Sequence, residues 1–363
     1  SYSRQSITLS NTSFRRNDAV SLRLSTCDLT GTRSLFELNK QTPAVIDSET
    51  SASFNDCKFY NNTSPGAGGV AYASESSGIY LMNCDVADNA ASLKAGALYI
   101  EDSVLRAENS QFVRNKAGSI SVFDIQFSDI RAELVNCQFS ENISGSGGSI
   151  NLAFSSIFIK GSTFSGNKES SGISPGVQLE KSTAVIEDTL FSDQNGKRGA
   201  FLNSLNLSEL KITRCSFVRG LSELEGGAIF SQSSLIYIEN SSFNSSKAET
   251  GGAVYLYETD SIIVMSSFNQ NTASKGADVF ASQKSLSVSN SLFTGSSQAV
   301  KAESLNSLLI VDSMFSLGSG GPRVYAEQVT SMLISNTTFN SNRAKYGAAV
   351  NLNQVASAVL SNN

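Results

Sequence analysis

Histidine and tryptophan are absent from all 363 residues, and there are only 4 prolines and 5 cysteines. With no histidine, no Cys-x-x-Cys pair and no Asp-rich Gly-Gly-x-Gly-x-Asp calcium repeat, the sequence offers no metal-ligand set and implies no cofactor. Charge is scarce as well. Charged residues make up 16% of the chain, the net charge is −5, and no basic stripe exists. Nucleic acid and anionic membrane surfaces are thereby excluded as expected partners. The longest apolar runs, such as Ser307–Val311, are far too short to span a bilayer. No leader-like segment is visible and the chain opens on Ser1, which reads as a processed or excised piece with its targeting signals elsewhere. What is abundant is Ser, Asn and Gly on a background that is 40% hydrophobic, enough for a continuous core.

That core is built by repetition. An aromatic anchor recurs at Phe59, Phe112, Phe139, Phe164, Phe191, Phe217, Phe243, Phe268, Phe293, Phe315 and Phe339, with Val86 substituting once. Between anchors a glycine signature returns, as in Gly68-Gly69-Val70, Gly226-Gly227-Ala228-Ile229 and Gly251-Gly252-Ala253-Val254. Seven and five residues before the anchor stand apolar pairs such as Ile157/Ile159, Ile236/Ile238 and Leu308/Ile310, the alternation of a half-buried strand. Two before it the side chain is small: Cys57, Cys84, Cys137 and Cys215, with Ser or Thr in the other coils. Cys27 joins that column if Leu29 is a degenerate anchor. The odd step from −5 to −2 would turn the inward face outward unless the backbone bends at −3. There Asn83, Asn109, Asn136, Gly161, Asp188, Asn240 and Asn336 are residues that tolerate the left-handed conformation.

Each coil then reads as strand, corner, strand, loop, strand, loop. Three short strands in ~26 residues predict an all-β fold, a right-handed parallel β-helix solenoid. About twelve coils would stack into a rod of roughly 60 Å. Residues 1–50 are expected to hold irregular coils of the same solenoid, since Phe14 and Phe59 are 45 apart, and 51–363 the regular repeats.

The paired motifs, Gly-Gly-Ala-[Ile/Leu/Val] and Phe-x-x-Asn, resemble the repeat of the chlamydial polymorphic outer membrane proteins. Phe-x-x-Asn stands at Phe59/Asn62, Phe112/Asn115, Phe139/Asn142, Phe164/Asn167, Phe268/Asn271 and Phe339/Asn342; Gly220, Ser246, Ser296 and Gly318 replace the asparagine elsewhere. The resemblance covers residue ~51 onward. It implies a pectate-lyase-like β-helix displayed at a cell surface for adhesion, with no catalytic residues to carry over.

The residues that could carry chemistry are few. Many β-helices cleave acidic polysaccharides, and the best candidate pair here is Glu303 and Glu327, one coil apart; stacked, they would be ~5 Å apart, a separation that suits a retaining glycosidase. Lys301 and Arg323 are close in sequence. The competing reading is a solvated turn, because Glu101, Glu180 and Glu258 occupy similar places without partners. Tyr72, Tyr99, Tyr255 and Tyr325 recur after the glycine motif, as sugar-stacking rings or as ladders. The cysteines read as buried free thiols, with a Cys57–Cys84 bridge left open. Sequons stand at Asn11, Asn61, Asn62, Asn142, Asn206, Asn240, Asn244 and Asn336; Asn62, Asn142, Asn206 and Asn244 are placed in loops as the better acceptors of N-linked glycan.

These readings converge on a non-catalytic extracellular β-helix, a surface-displayed rod or filament subunit. The alternative is a carbohydrate-binding or polysaccharide-cleaving β-helix. The expected partners are other copies or flanking coils, head to tail, and glycans or cell-surface receptors. Val355–Asn363 repeats the strand-and-corner pattern without a cap, so residue 363 is expected not to be a natural terminus.

Overall fold

The structure, a computed structural model, describes residues 5–129, 131–170 and 174–362. Ser1 and Asn363 lie outside the described residues. By contacts the chain divides into two compact units, residues 1–184 and 185–363. Every element is a short strand, and no helix among the described residues is long and apolar enough to cross a membrane.

Within each unit the chain winds as a parallel β-helix. Each coil contributes one strand to each of three parallel sheets. One sheet carries the Ile-x-Ile strands, such as Leu235–Glu239 pairing Asp260–Val264. The second carries the anchors, such as Ser242–Asn244 pairing Ser267–Asn269. The third follows the glycine motif, such as Val254–Tyr257 pairing Val279–Ser282. In residues 63–169 a two-residue strand after the anchor strand adds a short fourth sheet, which the three-strand reading did not contain.

The corner at −3 is left-handed in every coil. Asn83, Asn109, Asn136, Gly161, Asp188, Arg214, Asn240, Met265, Asn290, Asp312 and Asn336 have φ between +47° and +59°. Arg214 and Met265 adopt it too, at a conformational cost of roughly 1–2 kcal/mol that the coil stacking on both sides offsets. Gly251 shows what the loop requires: φ is +64°, and a Cβ would stand 2.6 Å from the Val254 carbonyl oxygen.

The inward columns form the core. In residues 185–363 the rings of Phe191, Phe217, Phe243, Phe268, Phe293, Phe315 and Phe339 stack in series with centroids 4.6–5.1 Å apart. In residues 1–184, Phe14, Phe36 and Phe59 stack likewise, and so do Phe112, Phe139 and Phe164. Phe14, Phe36 and Phe59 are register partners. The first coils are therefore only shorter, with 22 and 23 residues between anchors, and the turns number about fourteen rather than twelve.

Two columns differ from the sequence reading. Leu29 is not an anchor: it pairs with Ala52 in the Ile-x-Ile sheet, and the −2 position of its coil is Ser34. Cys27 belongs instead to a second small-residue ladder, its N–H facing Thr50 Oγ1 as the Thr50 N–H faces Ser77 Oγ. The −2 column itself is a hydrogen-bond ladder and not merely a space for small groups. Ser266 Oγ accepts from the Ser241 N–H at 3.2 Å and donates to the Val264 carbonyl at 2.8 Å, so each hydroxyl closes one corner and ties it to the next. A thiol is nearly isosteric and fits the same role: Cys137 Sγ faces the carbonyls of Ala107 and Val135.

Candidate functional site

Glu303 and Glu327 end the strands Val300–Glu303 and Val324–Glu327 and are direct register partners. Parallel pairing places their Cα atoms about 4.8 Å apart on one outward face. Each carboxylate is engaged: Glu303 pairs with Lys301, and Glu327 Oε1 accepts from Asn353 Nδ2 at 2.9 Å. Lys301 also lies 5.2 Å from the centroid of the Tyr325 ring. The comparison glutamates are not unpartnered turn residues. Glu101 accepts from the Tyr72 hydroxyl at 3.4 Å and Glu258 from Ser233 Oγ at 2.8 Å.

Arg323 takes no part in that cluster. It points inward, fully buried, and its guanidinium donates to the carbonyls of Phe293 (3.2 Å), Ser296 and Ser297. Asp278 is buried nearby, accepting from Asn271 Nδ2 at 2.9 Å and Ser296 Oγ at 2.7 Å. Burial pushes its carboxyl up to about 6, against the opposing pull of those two donors and the Arg323 charge. Arg323 is four residues from Glu327 and has the parity of its outward face, but it precedes the strand Val324–Glu327 and turns inward instead, so strand alternation could not place it.

The Phe-x-x-Asn asparagine proves structural. In residues 1–184, Asn39, Asn62, Asn89, Asn115, Asn142 and Asn167 form a buried ladder. Each Nδ2 from Asn39 to Asn142 donates to the next Oδ1 at 2.8–3.2 Å. The same amide also donates to an anchor carbonyl, Asn62 to Phe36 and Asn142 to Phe112. This corrects the glycosylation expectation: Asn62 and Asn142 have no amide hydrogen to offer and no room for sugar. Asn61 and Asn206 are exposed, and Asn244 is half-buried at the end of an anchor strand and not in a loop.

The rings after the glycine motif form outward ladders. Tyr72 stacks on Tyr99 at 5.2 Å, and Tyr255 lies between Phe230 and Phe280 at 5.3 and 5.0 Å. Tyr99 is largely covered, and its strand neighbour Asp124 is completely so. Burial raises the Asp124 carboxyl above the usual range, opposed by donors from Asn151 and Gln126. All five cysteines are free and buried. Burial pushes Cys137 up to about 11 and Cys215 to about 12. Cys57 and Cys84, side by side, share a hydrogen bond that lowers the first and raises the second. Among the described residues no group of three or more His, Cys, Asp or Glu side chains is placed to hold a metal ion.

Outward charge follows a rule. At left-handed corners an aspartate is forked by an arginine one coil on. Arg114 Nε and Nη2 each meet Asp88 at 2.7 Å, Arg214 meets Asp188 at 2.7 and 3.1 Å, and Arg219 meets Asp193 at 2.6 and 2.8 Å. The sequence reading missed these pairs, although the 26-residue spacing of each is visible in it. A groove of about 580 Å³ along another corner is lined by Leu207, Glu209, Leu235, Glu258, Asp260 and Lys284.

No curated protein matches this chain. A family model described as a right handed beta helix region matches residues 1–156. With the three parallel sheets, that match makes the fold a right-handed parallel β-helix.

Proposed function

We propose that this chain is a non-catalytic extracellular scaffold, a surface-displayed or filament-forming β-helix that presents its corners and loops for adhesion. The observation that carries the reading is where the polar groups go. Buried asparagines and serines are consumed in coil-to-coil ladders, and outward carboxylates are largely taken up by neighbours of the same chain. Such an arrangement spends its chemistry on stacking coils and leaves the corner side chains free to vary. The Gly-Gly-Ala and Phe-x-x-Asn motifs, similar to those of surface-displayed passengers, support the location.

The second reading, a carbohydrate-cleaving β-helix, is favoured by one observation, the register pairing of Glu303 with Glu327. A panel of neutral and acidic polysaccharides separates the two. The scaffold reading expects no new reducing ends or unsaturated products; cleavage that disappears in Glu303→Gln or Glu327→Gln would replace it with the enzymatic one.

A further inference from the structure

We propose that the corner formed by Asp102 and Phe127 is a receptor for an arginine side chain of a partner protein. Asp102 has φ +45° and Phe127 φ +50°, and the Asp102 N–H donates to the carbonyl of Gln126, the residue before Phe127. That is the relation Asp88 has to Arg114, whose fork closes the corner: the Asp88 N–H donates to the carbonyl of Val113. Asp188 stands in the same relation to Arg214, and Asp193 to Arg219. At Asp102 the residue in that relation is Phe127, on the corner that follows the third strand of the coil. Among the described residues no cation pairs with Asp102, nor with Asp129, which shares a pocket of about 250 Å³ with it.

The phenylalanine is not there for the core. Phe127 is 53% exposed and Phe154, stacked on it at 5.2 Å, is 47% exposed. Both hold left-handed backbone, which is strained for a phenylalanine. Lys181 covers the far side of Phe154, its Nζ 5.0 Å from the ring centroid. The other side of the stack is directed toward the Asp102 coil. A ring face and two carboxylates all attract a planar cation. A guanidinium laid on the Phe127 ring while forking Asp102 would supply from outside the group that the chain supplies to itself at three other corners. Arg131 is not that group: it lies over Phe158 and pairs with Glu133.

The inference rests on the display reading and names one partner chemistry for it. The test titrates the full chain with the capped peptide Gly-Arg-Gly and with its citrulline counterpart, an isostere without the charge, following amide and phenylalanine-ring resonances. The arginine probe should perturb Asp102, Phe127 and Asp129, and the citrulline probe should bind roughly tenfold more weakly. Asp102→Asn and Phe127→Ala should each weaken binding by a similar factor. Phe127→Arg, which places an arginine one coil on from Asp102 as at the three forked corners, should remain folded and abolish binding. Arginine binding that is unchanged in Asp102→Asn and Phe127→Ala would overturn the proposal. So would the absence of any perturbation, or perturbation of this corner by a neutral oligosaccharide and not by arginine. None of these outcomes touches the scaffold reading, which only the cleavage assay can sink.

Discussion

Arg323 fills the place that Gly318 leaves empty. A Cβ on Gly318 would collide with the guanidinium, and Arg323 Nη2 donates to the Phe293 carbonyl at 3.2 Å as Asn271 Nδ2 donates to that of Phe243 at 3.1 Å. One coil thus replaces its ladder asparagine with glycine and recovers the lost donor from a residue five positions later. Gly220 follows the same logic with an apolar filler, since a Cβ there would stand 2.5 Å from Cε2 of Phe201.

Arg323→Ala leaves the Phe293 carbonyl without this side-chain donor and Asp278 without the Arg323 charge that opposes its burial. Unfolding of the surrounding coils should become easier by about 3–5 kcal/mol at neutral pH. Denaturant-dependent amide exchange in residues 268–327 measures it, and a loss under ~1 kcal/mol would show the arginine to be a passive filler.

The Asp278 carboxyl, raised to about 6 by burial, fixes the sign of a pH effect. A carboxyl whose folded value lies above its unfolded one binds more protons when folded. Its contribution to stability is therefore constant below about 4, falls as pH rises from about 4 to 6, and is flat above. The difference in unfolding free energy between the native chain and Asp278→Asn should change by on the order of 2–3 kcal/mol across that window and nowhere else.

Asn115 has every polar atom of its side chain committed. Nδ2 donates to the Val86 carbonyl and Asn142 Oδ1, and Oδ1 accepts from the N–H and Nδ2 of Asn89. Asn115→Asp turns two donations into contacts between acceptors in a dry site, so it should destabilise more than Asn115→Ala, by upwards of ~3 kcal/mol. Equal melting of the two variants would contradict the ladder.

The same ladder predicts where sugar goes. Expressed in a glycosylating host, the chain should carry N-linked glycan at exposed asparagines such as Asn61 and Asn206 and none at Asn62 or Asn142. Peptide mapping after enzymatic deglycosylation reads this directly, and a glycan on Asn142 in folded protein would count against the buried ladder.

Phe243 stands between Phe217 and Phe268, 4.7 Å from each, with no exposed surface. Phe243→Ala should cost ~3–5 kcal/mol, with exchange protection lost mainly in the adjoining coils because solenoid contacts are between nearest neighbours.

The sequence by itself determined the coil. Alternation in Ile236/Ile238, the odd step to Ser241 and the glycine signature at Gly251 are local properties of the backbone, so they could be read without coordinates. Even Met265 could be placed at a left-handed corner by counting from Phe268. What only the tertiary structure decided is which coil supplies a missing atom to another. Arg323 in place of an asparagine, Phe201 beside Gly220, and Cys27 in a column apart from Cys57 all depend on stacking register, which a shift of a few residues changes without altering the local pattern. The open corner at Asp102 belongs to the same class. Asp102 and Phe127 are 25 residues apart, and nothing near either shows that each occupies the place of half an ion pair.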